Sequence, residues 1–177
     1  MTRTAFRLAA SLALLSTSQL QAATPRSARP CVTPSELRGM VAYGVPSAMA
    51  MLIDRCKSAL LPKAALLTRG TELVTDFERG RAAAFPLARQ AFAKFSGTGD
   101  KSTTAIMLIM PEATLRPIVD GIMANELIGS IKVKDCSNID RVFATLEPLP
   151  ASNFIDLLTQ VIAIGARDDK QLSVCAA

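Results

Sequence analysis

The chain has 177 residues, 50% of them hydrophobic, with 20 Lys and Arg against 15 Asp and Glu, four Cys, one Tyr, and neither Trp nor His. The absence of histidine removes the usual general base and the commonest metal ligand, so Ser-His-Asp and Cys-His catalysis and zinc peptidases built on histidine pairs are excluded on composition. A net charge of +5 with no Lys/Arg cluster and 5% aromatic residues argues against a nucleic-acid groove as the working surface.

The chain opens as an export signal. Arg3 and Arg7 precede an apolar run at residues 8–15, a polar stretch from Ser16 and the small residues Ala22 and Ala23, which are the three parts of a cleavable signal peptide. The run is about half the roughly 20 residues needed to cross a bilayer, so residues 1–22 are expected to be removed and not kept as an anchor. Cys31 follows Ser-Ala-Arg-Pro and not the short apolar box of a lipoprotein. Taking 22 residues from 177 leaves 155, and taking the two leader arginines from 20 cations leaves 18 against 15 acids, a charge of +3. That length suits one domain. The expected location is the periplasm or the extracellular space.

Residues 23–30 carry two prolines and no apolar period, and read as a flexible leader to a single helical domain at 31–177. Thr33-Pro34-Ser35-Glu36 starts a helix, with a capping Thr, a Pro where its missing N–H costs nothing, and a Glu that reaches back. This helix is expected to bear Leu37, Met40 and Val41 on one face and to stop near Gly44. Pro46 opens a second, with Ala48, Met49, Leu52, Ile53 and Cys56 at spacings of three and four. The longest helical pattern runs from about residue 71 to 95, with the stripe Leu73, Phe77, Ala84, Leu87, Ala88, Ala91 and Phe95; Pro86 is expected to kink or split it.

Residues 96–102 read as a loop. Residues 103–110 form an apolar segment expected to be a buried helix, with a strand as the competing assignment. A helix from Pro111 to about Ile128 carries Leu115, Ile118, Val119, Ile122, Met123 and Leu127, and Gly129 can stop it. Residues 131–134 alternate and suggest a short extended piece. Ser137-Asn-Ile-Asp140 repeats the capping-box pattern before Ile139, Val142, Phe143 and Leu146. The last helix spans about residues 151–166, with Phe154, Leu157, Leu158, Val161 and Ile162 expected inward, and a charged turn at 167–170 leads to Cys175. The expected fold is all-α, an irregular disulfide-linked bundle of about six or seven helices. No stretch of the mature chain is apolar for long enough to span a membrane.

Cys31, Cys56, Cys136 and Cys175 are even in number and lie in the exported part, which favours disulfides. Of the three pairings, Cys31–Cys56 and Cys136–Cys175 are expected, because each would close a local unit. A redox or zinc site is disfavoured by the absence of Cys-x-x-Cys and of histidine.

Gly97-Thr-Gly-Asp-Lys-Ser-Thr103 has glycines ahead of a Lys-Ser pair, yet Asp100 and Phe95 stand where a phosphate-binding loop needs Gly, so it reads as a surface turn. Glu72, Asp76, Glu78, Glu112 and Asp120 are candidates for a histidine-free carboxylate hydrolase; the first three also suit the first turns of a helix and its ion pairs. Met40, Met49, Met51, Met107, Met110 and Met123 offer thioethers for copper, but fit better as fillers of a core short of aromatics, or as the lining of a groove. The reading is an exported, non-enzymatic binding module acting on an unidentified protein or apolar ligand, with no cofactor and no metal. The alternative is a carboxylate-based cell-envelope hydrolase.

Overall fold

The computed structural model describes residues 31–96, 101–146, 148–166 and 173–175. The expected signal peptide, the leader at 23–30 and the charged turn at 167–170 lie outside these residues. Helix α1 (Pro34–Cys56) opens with the capping box that its sequence predicts: the Glu36 amide donates to the Thr33 hydroxyl at 3.3 Å, and the Thr33 amide donates to the Glu36 carboxylate at 2.8 Å. The expected break at Gly44 and Pro46 does not occur, and Pro46 lies buried inside one continuous helix. A proline in a helix interior costs about 3 kcal/mol or more. Burial of Val41, Tyr43, Val45 and Met49 on the surrounding turns offsets this, at roughly 1.5–3 kcal/mol for each large apolar side chain.

The continuity of α1 decides the disulfides. Its 23 residues, at about 1.5 Å rise each, span roughly 35 Å. Cys31 and Cys56 therefore flank opposite ends of a rod and cannot reach the Cα separation of about 4.4–6.8 Å that a disulfide requires. The expected pairing is overturned: Cys31 bonds Cys175 with Cα atoms 5.0 Å apart, and Cys56 bonds Cys136 at 5.5 Å.

Helix α2 (Ala65–Ser96) returns antiparallel to α1, placing Leu87 and Ala88 against Gly39 and Gly70 against Ile53. It starts earlier than the sequence pattern implies, runs through Gly70 and Gly80, and is not split at Pro86. Helices α3 (Lys101–Ile109) and α4 (Glu112–Ser130) follow. The apolar segment is thus helical, but it is not buried, because Ile106, Leu108 and Ile109 are exposed. Ile131 and Lys132 are extended, as the alternation suggests, and lead into a 3-10 turn at Val133–Asp135. Helix α5 (Cys136–Leu146) starts one residue before the expected cap at Ser137. Asp140 serves a different helix: its Oδ1 accepts the Leu66 amide at 2.8 Å, capping the first turn of α2.

Helix α6 (Ala151–Gly165) lies on α1. Val32 then forms the one isolated bridge among the described residues, with its amide donating to the Ser173 carbonyl and its carbonyl accepting from the Cys175 amide, beside the Cys31–Cys175 bond. Three buried clusters hold the bundle. One gathers Met49, Leu66, Phe77, Phe143 and Phe154 between α1, α2, α5 and α6; a second gathers Tyr43, Phe85, Phe92, Leu115 and Val119 between α1, α2 and α4; the smallest joins Val32, Leu37 and Ala91.

Candidate functional site

Every carboxylate that the sequence offers for catalysis is held by an arginine. Arg69 pairs with Glu72 at 2.5 Å and Arg79 with Asp76; Arg116 pairs with Glu112; Arg81 pairs with Glu78 at 3.2 Å and with Asp120 at 2.7 Å. Arg81 brings Glu78 and Asp120 to one place, and its guanidinium fills the gap that a glycosidase would leave for water or substrate.

The Arg81 cluster is a three-helix clamp. The Tyr43 hydroxyl on α1 donates to Asp120 Oδ1 on α4 at 2.9 Å, while Arg81 on α2 donates through Nη2 to the same oxygen and through Nε to the Tyr43 carbonyl at 3.2 Å. The guanidinium also lies 4.6 Å from the centre of the Tyr43 ring, which packs 5.1 Å from Phe85. Burial, then the hydrogen bond and charge of Asp120, push the Tyr43 hydroxyl up to about 12, so it stays neutral at physiological pH. No sequence motif marks Tyr43 or Arg81; a lone tyrosine on an apolar helix face is the available signal, because a buried hydroxyl needs a partner.

Arg89 performs the matching task for α3. It donates to the Met107 carbonyl at 3.0 Å, to Met110 at 2.6 Å and to Leu108, satisfying carbonyls at the end of the helix. The methionines are distributed through the core: Met49 is buried in the first cluster, Met107, Met110 and Met123 pack on the second, and Met40 packs on the third.

Two surface features remain. On α6, the face expected to point inward is partly turned out, with Leu157 39% and Val161 57% exposed and Ile162 exposed as well; Ile164, at 60%, joins them on the outer side, while Phe154, Thr159 and Ala166 face the core. Spacings of four and three align Leu157, Val161 and Ile164 in one stripe. Asp156 at its edge is tied to Arg38 of α1 at 2.5 Å. The second feature is a cleft of about 570 Å3 between the α1–α2 connection, at Ala59, Leu60, Leu61, Lys63, Ala64 and Ala65, and α5, at Ser137, Asp140, Arg141 and Ala144.

No protein family, curated protein or solved structure matches the chain.

Proposed function

We propose that this protein is an exported, non-enzymatic interaction module that docks a partner protein through the outward face of α6. The observation that carries the reading is the stripe Leu157, Val161 and Ile164, three large apolar side chains left in water at helical spacing on a helix whose other face is already packed. Such a stripe suits an apolar helix face of a partner. The arginine pairing of all five candidate carboxylates counts against the hydrolase alternative. Export is supported by the two disulfides, which belong to an oxidising compartment, and by the cationic and apolar opening of the sequence. Among the described residues, no helix is long and apolar enough to cross a membrane.

The test compares proteins captured from envelope extract by the tagged protein and by its Val161→Glu, Ile164→Glu double variant. A specific partner held by the parent and lost by the equally stable variant is the expected result; identical captured sets would refute docking through α6.

A further inference from the structure

We infer that the cleft between the α1–α2 connection and α5 binds a small anionic amphiphile, a carboxylate head on a short acyl chain. This goes beyond the α6 surface and does not depend on it. The cleft walls are fixed. The Cys56–Cys136 bond joins the residue preceding one wall to the first residue of the other, and the Asp140 cap on the Leu66 amide joins them again. A volume of about 570 Å3 falls in the range of roughly 300–1,000 Å3 typical of small-molecule sites.

The lining has two halves of different chemistry. Ala59, Leu60, Leu61, Ala64, Ala65 and Ala144 provide an apolar surface, and Leu61 is 68% exposed, a large side chain without a packing task in the bundle. Lys63 and Arg141 provide the charge. Among the described residues neither forms an ion pair, and the Arg141 guanidinium reaches only the neutral Asn138 side chain. Asp140 is the one acid in the lining, and its Oδ1 is taken by the α2 amide. Two cations against one acid leave the cleft positive. A bare anion would satisfy Lys63 and Arg141 while leaving Leu61 in water; a neutral hydrocarbon would cover that leucine while stripping water from unpaired cations, at a desolvation cost. A carboxylate with a tail answers both halves, and the Ser137 hydroxyl offers it a further donor.

The experiment titrates the oxidised protein with decanoate, following heat and amide chemical shifts, with acetate and decyltrimethylammonium as head-only and opposite-charge probes. Decanoate is expected to shift the amides of residues 59–65 and 137–144, with the other two probes binding about tenfold or more weakly. Lys63→Glu and Arg141→Glu should each weaken decanoate severalfold, and Leu61→Asp should do the same from the apolar half. All three side chains are exposed, so melting temperatures should hold, and three separate variants leave the test intact if one of them misfolds. Equal binding of decyltrimethylammonium, shifts confined to α6, binding to phosphatidylglycerol vesicles in a parallel titration but not to free decanoate, or affinity unchanged in all three variants would each overturn the inference.

Discussion

Glu36 shows how one side chain joins local and distant structure. It closes the capping box of α1 and also accepts from Lys94 Nζ, near the end of α2, at 2.7 and 2.6 Å. Burial alone would raise its pKa, but the Lys94 ammonium, the Thr33 amide and the Thr33 hydroxyl together hold it below the ordinary value. A lowered folded-state pKa means that the stabilisation is complete above the ordinary carboxylate range and is lost as pH falls through the folded value. Glu36→Gln should therefore cost about 1–3 kcal/mol in denaturant unfolding near neutral pH. The gap between parent and variant should close as pH falls below about 4. A gap that stays constant with pH would remove Glu36 from that role. The capping box was legible because its partners sit three residues apart; Lys94, 58 residues away, was not.

Tyr43 gives a second residue-level test, since it is the one tyrosine in a chain without tryptophan and its phenolate absorbance reports on it alone. Its titration should be centred at about 12, and Asp120→Asn should bring it down by removing the charge and weakening the acceptor. Because the folded value is raised, this contribution to stability is present below about 10 and fades as pH rises toward 12. A midpoint near 10 in the folded parent would show that the Arg81 clamp is open.

At the scale of the helices, the close approach of α1 and α2 depends on Gly39. A Cβ there would fall on the Leu87 Cβ and lie 3.2 Å from the Ala88 amide nitrogen, on a packed partner helix. At Gly44 the Cβ would meet only the terminal methyl of Met123, the free end of a flexible side chain. Gly39→Ala should therefore destabilise by about 1–3 kcal/mol through overpacking. Gly44→Ala should be close to neutral, since the helix propensity gained offsets the shift of Met123. Equal effects at the two positions would contradict this crossing.

The helices themselves were largely legible, and the exceptions share a cause. The Gly44–Pro46 signal is local and real, but packing on both sides of α1 outweighs it. The face of α6 was not legible because its apolar arc is wider than the face the bundle buries, so periodicity alone could not select Phe154 and Thr159 as inward over Leu157 and Val161. The same ambiguity on α4 leaves Ile118 and Ile122 in solvent while Leu115 and Val119 are buried. Of the candidate site, the acids and their arginine partners three or four residues away were visible in the sequence; the Arg81–Asp120 pair, 39 residues apart, required α2 and α4 to be placed.

In the whole molecule, two long-range bonds take the place of the local links that the cysteine order invites. They span separations of 144 and 80 residues, and on the loop-entropy view each stabilises by roughly 4–5 kcal/mol. That is a large part of the roughly 5–15 kcal/mol that holds a typical domain, so reduction should lower the melting temperature by about 10 °C or more. Peptide mapping without reduction should recover Cys31 with Cys175 and Cys56 with Cys136; a Cys31–Cys56 peptide would require α1 to be broken.

The bundle leaves its largest questions at the surface, where a helix fixed to α1 through Arg38 and Asp156 presents apolar side chains outward. Site-specific photo-cross-linking tests the docking claim most directly, with the reactive group placed at Val161 or Ile164 on α6 and, for comparison, at Thr75 on the exposed side of α2. One discrete cross-linked partner is expected from both α6 positions and none from Thr75. Cross-linking of the same partner from Thr75 alone, with both α6 positions silent, would contradict docking through α6.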